Sequence, residues 1–155
     1  MSPAREEIET LYARHAELLD EGPISEWPSL FVEDGLYKAV TRENSDRGWP
    51  LALMLCESRA AIEDRVYAIE HLALKIPRRV RHLVSTIAFS AENGGYRVKA
   101  NFAVFETLEG EPTVCFAAGR YHDALVRDGA GALRFREKVS IADSAIVRNS
   151  LVYPL

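Results

Sequence analysis

The chain has 155 residues, 48% hydrophobic and 27% charged, with a formal net charge of -4. That length suits one α+β domain over residues 1–155, and the balance of apolar and charged residues excludes a disordered chain. A mildly acidic chain with one small basic cluster is not expected to bind nucleic acid or an acidic lipid surface.

Cys56 and Cys115 stand far apart without a CxxC spacing, so neither a disulfide framework nor a zinc site is expected, and both read as buried free thiols. The stretch Met1 to Glu7 lacks the basic and apolar regions of a signal peptide, and no apolar run approaches the roughly 20 residues needed to span a membrane. A cytoplasmic location is expected.

Ile8, Leu11, Tyr12, His15, Leu18 and Leu19 recur at helical spacing after Ser2-Pro3, and Gly22-Pro23 ends that run. Ser25 then offers a cap for a short second helix carrying Trp27, Leu30 and Phe31, and Asp34-Gly35 turns the chain into a strand from Leu36 to Thr41. Residues Arg42 to Trp49 read as a polar surface loop. A third helix follows from the Ser58 cap and the stripe Ile62, Val66, Ile69, and must stop before Pro77.

From Val80 the period falls to 2, with Leu83, Ile87 and Phe89 expected on one face and a tight turn at Asn93-Gly94-Gly95. Tyr96, Val98, Ala100, Phe102 and Val104 alternate with polar residues in the next strand. Two further strands are punctuated by Gly110-Glu111-Pro112 and by Asp128 to Gly131. In the last, Leu133, Phe135, Val139 and Ile141 are expected opposite Arg134, Arg136, Lys138 and Ser140.

The order helix, helix, strand, helix, then four strands resembles the cone-shaped nuclear-transport-factor-2-like (SnoaL-like) fold. There a curved antiparallel or mixed sheet wraps around about three helices from the N-terminal half. Within that fold, several strings resemble the β subunit of aromatic-ring-hydroxylating dioxygenases, the small partner of a Rieske non-haem iron oxygenase. They are Glu26-Trp27 to Phe31, Asp34 to Tyr37, Thr41 to Asn44, Asp64-Arg65, Arg78 to Ser85, Asn101-Phe102, Gly119 to Asp123, and Lys138 to Asp143 leading into Leu151 to Leu155. The resemblance implies a non-catalytic chain that forms a homotrimer and supports three larger α subunits in an α3β3 hetero-hexamer. It places no cofactor on this chain. The Rieske [2Fe-2S] cluster and the mononuclear Fe(II) belong to the α subunit, and NAD(P)H supplies electrons through a reductase.

The residues were also weighed for chemistry of their own. The four histidines, His15, His71, His82 and His122, form no CxH, HxxxH or HExxH pattern. A metal triad of His71, His82 and Asp123 would need the fold to assemble it. The competing reading is a stand-alone dehydratase or isomerase, with His82 as general base, Asp34 or Asp123 as its carboxylate and Tyr37 as a further acid. A non-enzymatic ligand-binding dimer is the third reading. For the subunit reading, the contact candidates are the basic cluster Arg78, Arg79 and Arg81 with Lys75 nearby, the aromatics Trp49, Tyr121 and Tyr153, and the polar pair Arg120 and Asp123.

Overall fold

The computed structural model describes residues 2–73 and 76–155. Lys75 of the basic cluster lies outside the described residues. Helix α1 (Pro3–Asp20) begins where Ser2 accepts the Arg5 backbone N–H through its hydroxyl, with Pro3 in the first turn. Its stripe from Ile8 to Leu19 is buried as expected, His15 included. The next segment is a 3-10 helix (Ile24–Leu30) entered from Pro23; Ser25 does not cap it, and Phe31 already belongs to the following strand.

Strand β1 (Phe31–Thr41) starts earlier than the sequence predicts, because Asp34-Gly35 lies within it as an irregularity in pairing and not as a turn. The expected surface loop after it contains a short helix, α2 (Arg42–Asp46), which Thr41 caps by accepting the Asn44 N–H. Strand β2 (Met54–Cys56) and helix α3 (Arg59–His71) follow, the latter capped by Ser58 through the Ala61 N–H. Four long strands complete the chain: β3 (Arg78–Glu92), β4 (Gly95–Leu108), β5 (Val114–Arg127) and β6 (Leu133–Ala142).

The six strands form one curved sheet in the order β2-β1-β6-β5-β4-β3, antiparallel throughout except for the parallel β1/β6 pair. Helix α1 packs on β3 and β6, and α3 packs on β1 and the 3-10 helix, so the helices fill the concave side.

Two irregularities decide which side chains enter the cone. In β3 the pairing with β4 shifts between Ser85 and Ala88, around Thr86 at φ 53°. Val80, His82 and Val84 face inward before the shift, and Ile87 and Phe89 after it. Leu83, expected beside Ile87 and Phe89, is therefore on the outside and 53% exposed. In β6 the partners of Ala124 and Leu125 are Glu137 and Phe135, which leaves Arg136 as the extra residue. That extra residue brings Lys138 and Ser140 inward behind Leu133 and Phe135, where plain alternation placed them outside.

The segment after β6 closes the other end. Val147 and Leu151 pack on the core, and Leu155 is buried, its N–H donating to the Tyr37 hydroxyl at 2.7 Å while Ser140 donates to its backbone oxygen at 3.0 Å. Arg78 fastens this segment. It pairs with buried Glu106 at 2.5 Å and lies over the rings of Phe116 and Tyr153.

Candidate functional site: the interior of the cone

Polar groups converge where β5 and β6 face α1. Lys138 and Asp123 are both fully buried, and their charged atoms are 3.1 Å apart. Asp123 also accepts from the Tyr12 hydroxyl and, at 2.9 Å, from the Val139 N–H. The Lys138 ammonium sits 2.9 Å from the centre of the Tyr121 ring, within the reach of a cation–π contact. Burial drives both charges toward their neutral forms: it lowers Lys138 to about 8 and raises Asp123, each effect opposed by the partner's charge. Burial and the Asp123 charge together hold the Tyr12 phenol well above its usual range, so it stays a donor.

A second polar chain runs beside the first. The Trp27 indole N–H donates to His15 Nδ1 at 2.9 Å, which assigns the proton of the neutral imidazole to Nε2. Burial, helped by the nearby Lys138 charge, holds His15 far below the usual histidine range. Asp20, the last residue of α1, accepts the His82 backbone N–H at 2.9 and 3.1 Å and approaches His82 Nδ1 at 2.6 Å. His82 therefore donates from Nδ1 and keeps a lone pair on Nε2. His15 Nε2, His82 Nε2 and the Tyr121 hydroxyl are buried without a hydrogen-bond partner. A cavity of about 500 Å³ opens between α1 and β3, with Arg5, Glu9, Tyr12, Ala13, His82 and Ile87 in its wall.

His15 makes folding sensitive to mild acid. Below pH ~6.5 the unfolded chain takes up a proton that the buried ring refuses, so its contribution to stability is present above that pH and declines as pH falls. Urea melts at pH 7.0 and 5.5 are expected to differ by about 1.4 kcal/mol from this group. The difference should shrink in His15→Phe, and an unchanged difference would assign the acid sensitivity elsewhere.

The residues singled out from sequence are distributed differently from the dehydratase reading. His82 is in the cone, but its carboxylate is Asp20. Asp34 is on the surface, 2.8 Å from Arg136, and Asp123 is engaged by Lys138. The Tyr37 hydroxyl is occupied by Leu155, and burial raises its pKa. His71 stacks on Tyr67 at the exposed end of α3, so His71, His82 and Asp123 do not meet. Among the described residues no three His, Cys, Asp or Glu side chains are grouped to hold a metal.

Of the contact candidates, Arg79, Arg81, Trp49 and Arg120 are exposed, with Arg81 paired to Glu21 and Trp49 under the Arg47 guanidinium. Arg78 and Tyr153 hold the C-terminal segment. Tyr121 and Asp123 are fully buried and present nothing to a partner, because β5 turns them into the cone. Cys56 is buried as expected, whereas Cys115 is exposed; both are free thiols. Sequence reasoning missed Asp20 and Lys138 as interior groups. His15 carried a usable signal, a histidine within an otherwise apolar helical stripe.

Comparison with known proteins agrees with this geometry. The family of ring hydroxylating beta subunits matches residues 14–148. The chain is 31% identical over 150 residues to the anthranilate 1,2-dioxygenase small subunit of Burkholderia cepacia, covering 96% of this chain and 92% of that one. Among solved structures, a chain described as the beta subunit of an aromatic-ring-hydroxylating dioxygenase from Novosphingobium aromaticivorans superposes with a TM-score of 0.88 at 31% identity. That match covers 98% of this chain and 97% of the other. A chain from the same organism described as a scytalone dehydratase shares the fold, with a TM-score of 0.70 at 19% identity over 94% and 90% of the two chains. The cone of the nuclear-transport-factor-2-like fold is thus common to both, and the sequence separates them: this chain belongs to the β subunits of aromatic-ring-hydroxylating dioxygenases.

Proposed function

We propose that this chain is the structural base of its dioxygenase: a homotrimer on which three α subunits sit in an α3β3 assembly. The α subunits would carry the Rieske cluster and Fe(II). In this reading the assembly adds both atoms of O₂ to an aromatic ring to give a cis-dihydrodiol, with electrons from NAD(P)H through a reductase, in the cytoplasm. The observation that carries the proposal is the family match over residues 14–148 together with 31% identity to a dioxygenase small subunit.

Two features of the surface support it. Trp49, Leu51, Leu53 and Leu55 are all exposed along the approach to and along edge strand β2, an apolar row that assembly would cover. Arg79, Arg81 and Arg120 remain candidates for contacts with an α subunit. No helix among the described residues is long and apolar enough to cross a membrane.

The test is co-purification of a tagged copy from its native cells, followed by mass, iron content and visible absorption. A larger chain at one-to-one stoichiometry with a Rieske spectrum is expected, and anthranilate is the first compound to offer it. Recovery of this chain alone, colourless, would overturn the assembly.

A further inference from the structure

We propose that the cone interior of this subunit is a binding site for a small uncharged phenol, held by His82 Nε2 and His15 Nε2. The site is separate from the iron chemistry of the assembly and does not depend on the trimer. Three observations carry it. The first is the cavity of about 500 Å³ between α1 and β3, large enough for a one-ring compound, with His82 and Tyr12 in its wall. The second is that three buried polar atoms of neighbouring side chains, His15 Nε2, His82 Nε2 and the Tyr121 hydroxyl, have no partner, although buried polar groups in folded proteins are nearly always paired. The His15 ring lies 6.1 Å from the His82 ring and 6.0 Å from the Tyr121 ring, so the three form one cluster.

The third is that the protein fixes what each histidine offers. Asp20 takes the Nδ1 proton of His82, which leaves Nε2 as an acceptor. The Trp27 N–H occupies His15 Nδ1, which leaves Nε2–H as a donor. One hydroxyl satisfies both, giving its proton to His82 and accepting from His15. A phenol suits the acceptor better than an aliphatic alcohol because its hydroxyl is the more acidic, with a pKa of about 10 as in tyrosine. Ala13, Ala16, Val84 and Ile87 provide the apolar wall for the ring. The ligand must be neutral because the charges nearby are already matched: Lys138 with Asp123, Arg5 with Glu9, and Asp20 with the His82 ring and backbone.

The experiment uses the full chain with ¹⁵N-labelled histidine, titrated with phenol, cyclohexanol and toluene. Phenol is expected to bind about tenfold or more tightly than toluene, with cyclohexanol between them, since a site with unpaired polar groups rejects the analogue that cannot pair them. Two-bond ¹H–¹⁵N spectra should move the ring signals of His15 and His82 and leave those of His71 and His122 in place. His82→Leu should erase the preference for phenol over toluene. Equal binding of phenol and toluene, no binding of either at millimolar concentration, or shifts confined to His71 and His122 would each overturn the proposal. If His82→Leu does not fold, the comparison of ligands on the unaltered chain still decides it.

Discussion

Asp123→Ala is expected to lower folding stability by about 3–5 kcal/mol at pH 7, read as a fall in the urea midpoint. The substitution leaves the Lys138 ammonium in the core with the Tyr121 ring as its remaining close electrostatic partner, and strips the Tyr12 hydroxyl and the Val139 N–H of their acceptor. Lys138→Met should do less harm, because Asp123 keeps two donors and burial already favours its neutral acid. The double variant Asp123→Leu with Lys138→Met should recover most of the loss. The coupling between the two positions is expected to be ~2 kcal/mol or more, the signature of a pair that works as a unit. The penalty should also depend on pH. Lys138 has a folded pKa of about 8 against 10.5 for an ordinary lysine, so between those values the unfolded chain holds a proton that the folded one has shed, and stability from this group rises with pH. Without Asp123 the folded pKa drops further, so the defect of Asp123→Ala should be smaller at pH 9 than at pH 6. Equal penalties at the two pH values would mean that lost packing, and not the stranded charge, is responsible.

The same pair shows where sequence reading stopped. Helix α1, helix α3, the alternation of β4 and the four-strand finish were all legible, because hydrophobic period and capping residues act locally. Lys138 was not. It reads as an outward residue on a strand of period 2, and only the extra residue Arg136 turns it inward. Leu83 fails in the mirror sense through Thr86. Neither bulge has a glycine to announce it. The partner of His82 was hidden for another reason: Asp20 and His82 are 62 positions apart, and their meeting depends on how the end of α1 crosses β3. The family resemblance was legible because it is carried by ordered strings, and strings survive such shifts of face.

Gly119→Ala is expected to be nearly as damaging as loss of Asp123, at about 3 kcal/mol or more. A Cβ at Gly119 would lie 1.9 Å from the Ile141 carbonyl oxygen and 2.9 Å from its carbon, and both belong to the backbone of β6. A side chain could swing aside; a strand held in the middle of the sheet can move only by breaking its ladder. Gly95 repeats the arrangement at the start of β4, where a Cβ would meet the Leu125 oxygen at 1.9 Å, so Gly95→Ala should behave alike. Gly129→Ala is the control. Its Cβ would meet nothing within 4 Å, and stability should stay within about 0.5 kcal/mol of the original. For a chain of this size a loss of 3 kcal/mol lowers Tm by roughly 10 °C, well within reach of a calorimetric scan. Gly119 lies two residues before Tyr121 and four before Asp123 on the same strand, so any retreat of β5 from β6 also pulls Asp123 from Lys138. Gly119→Ala should therefore add little further loss when Asp123 and Lys138 have already been replaced by Leu and Met. Full additivity in that triple variant would show that the strand contact and the buried pair are independent supports.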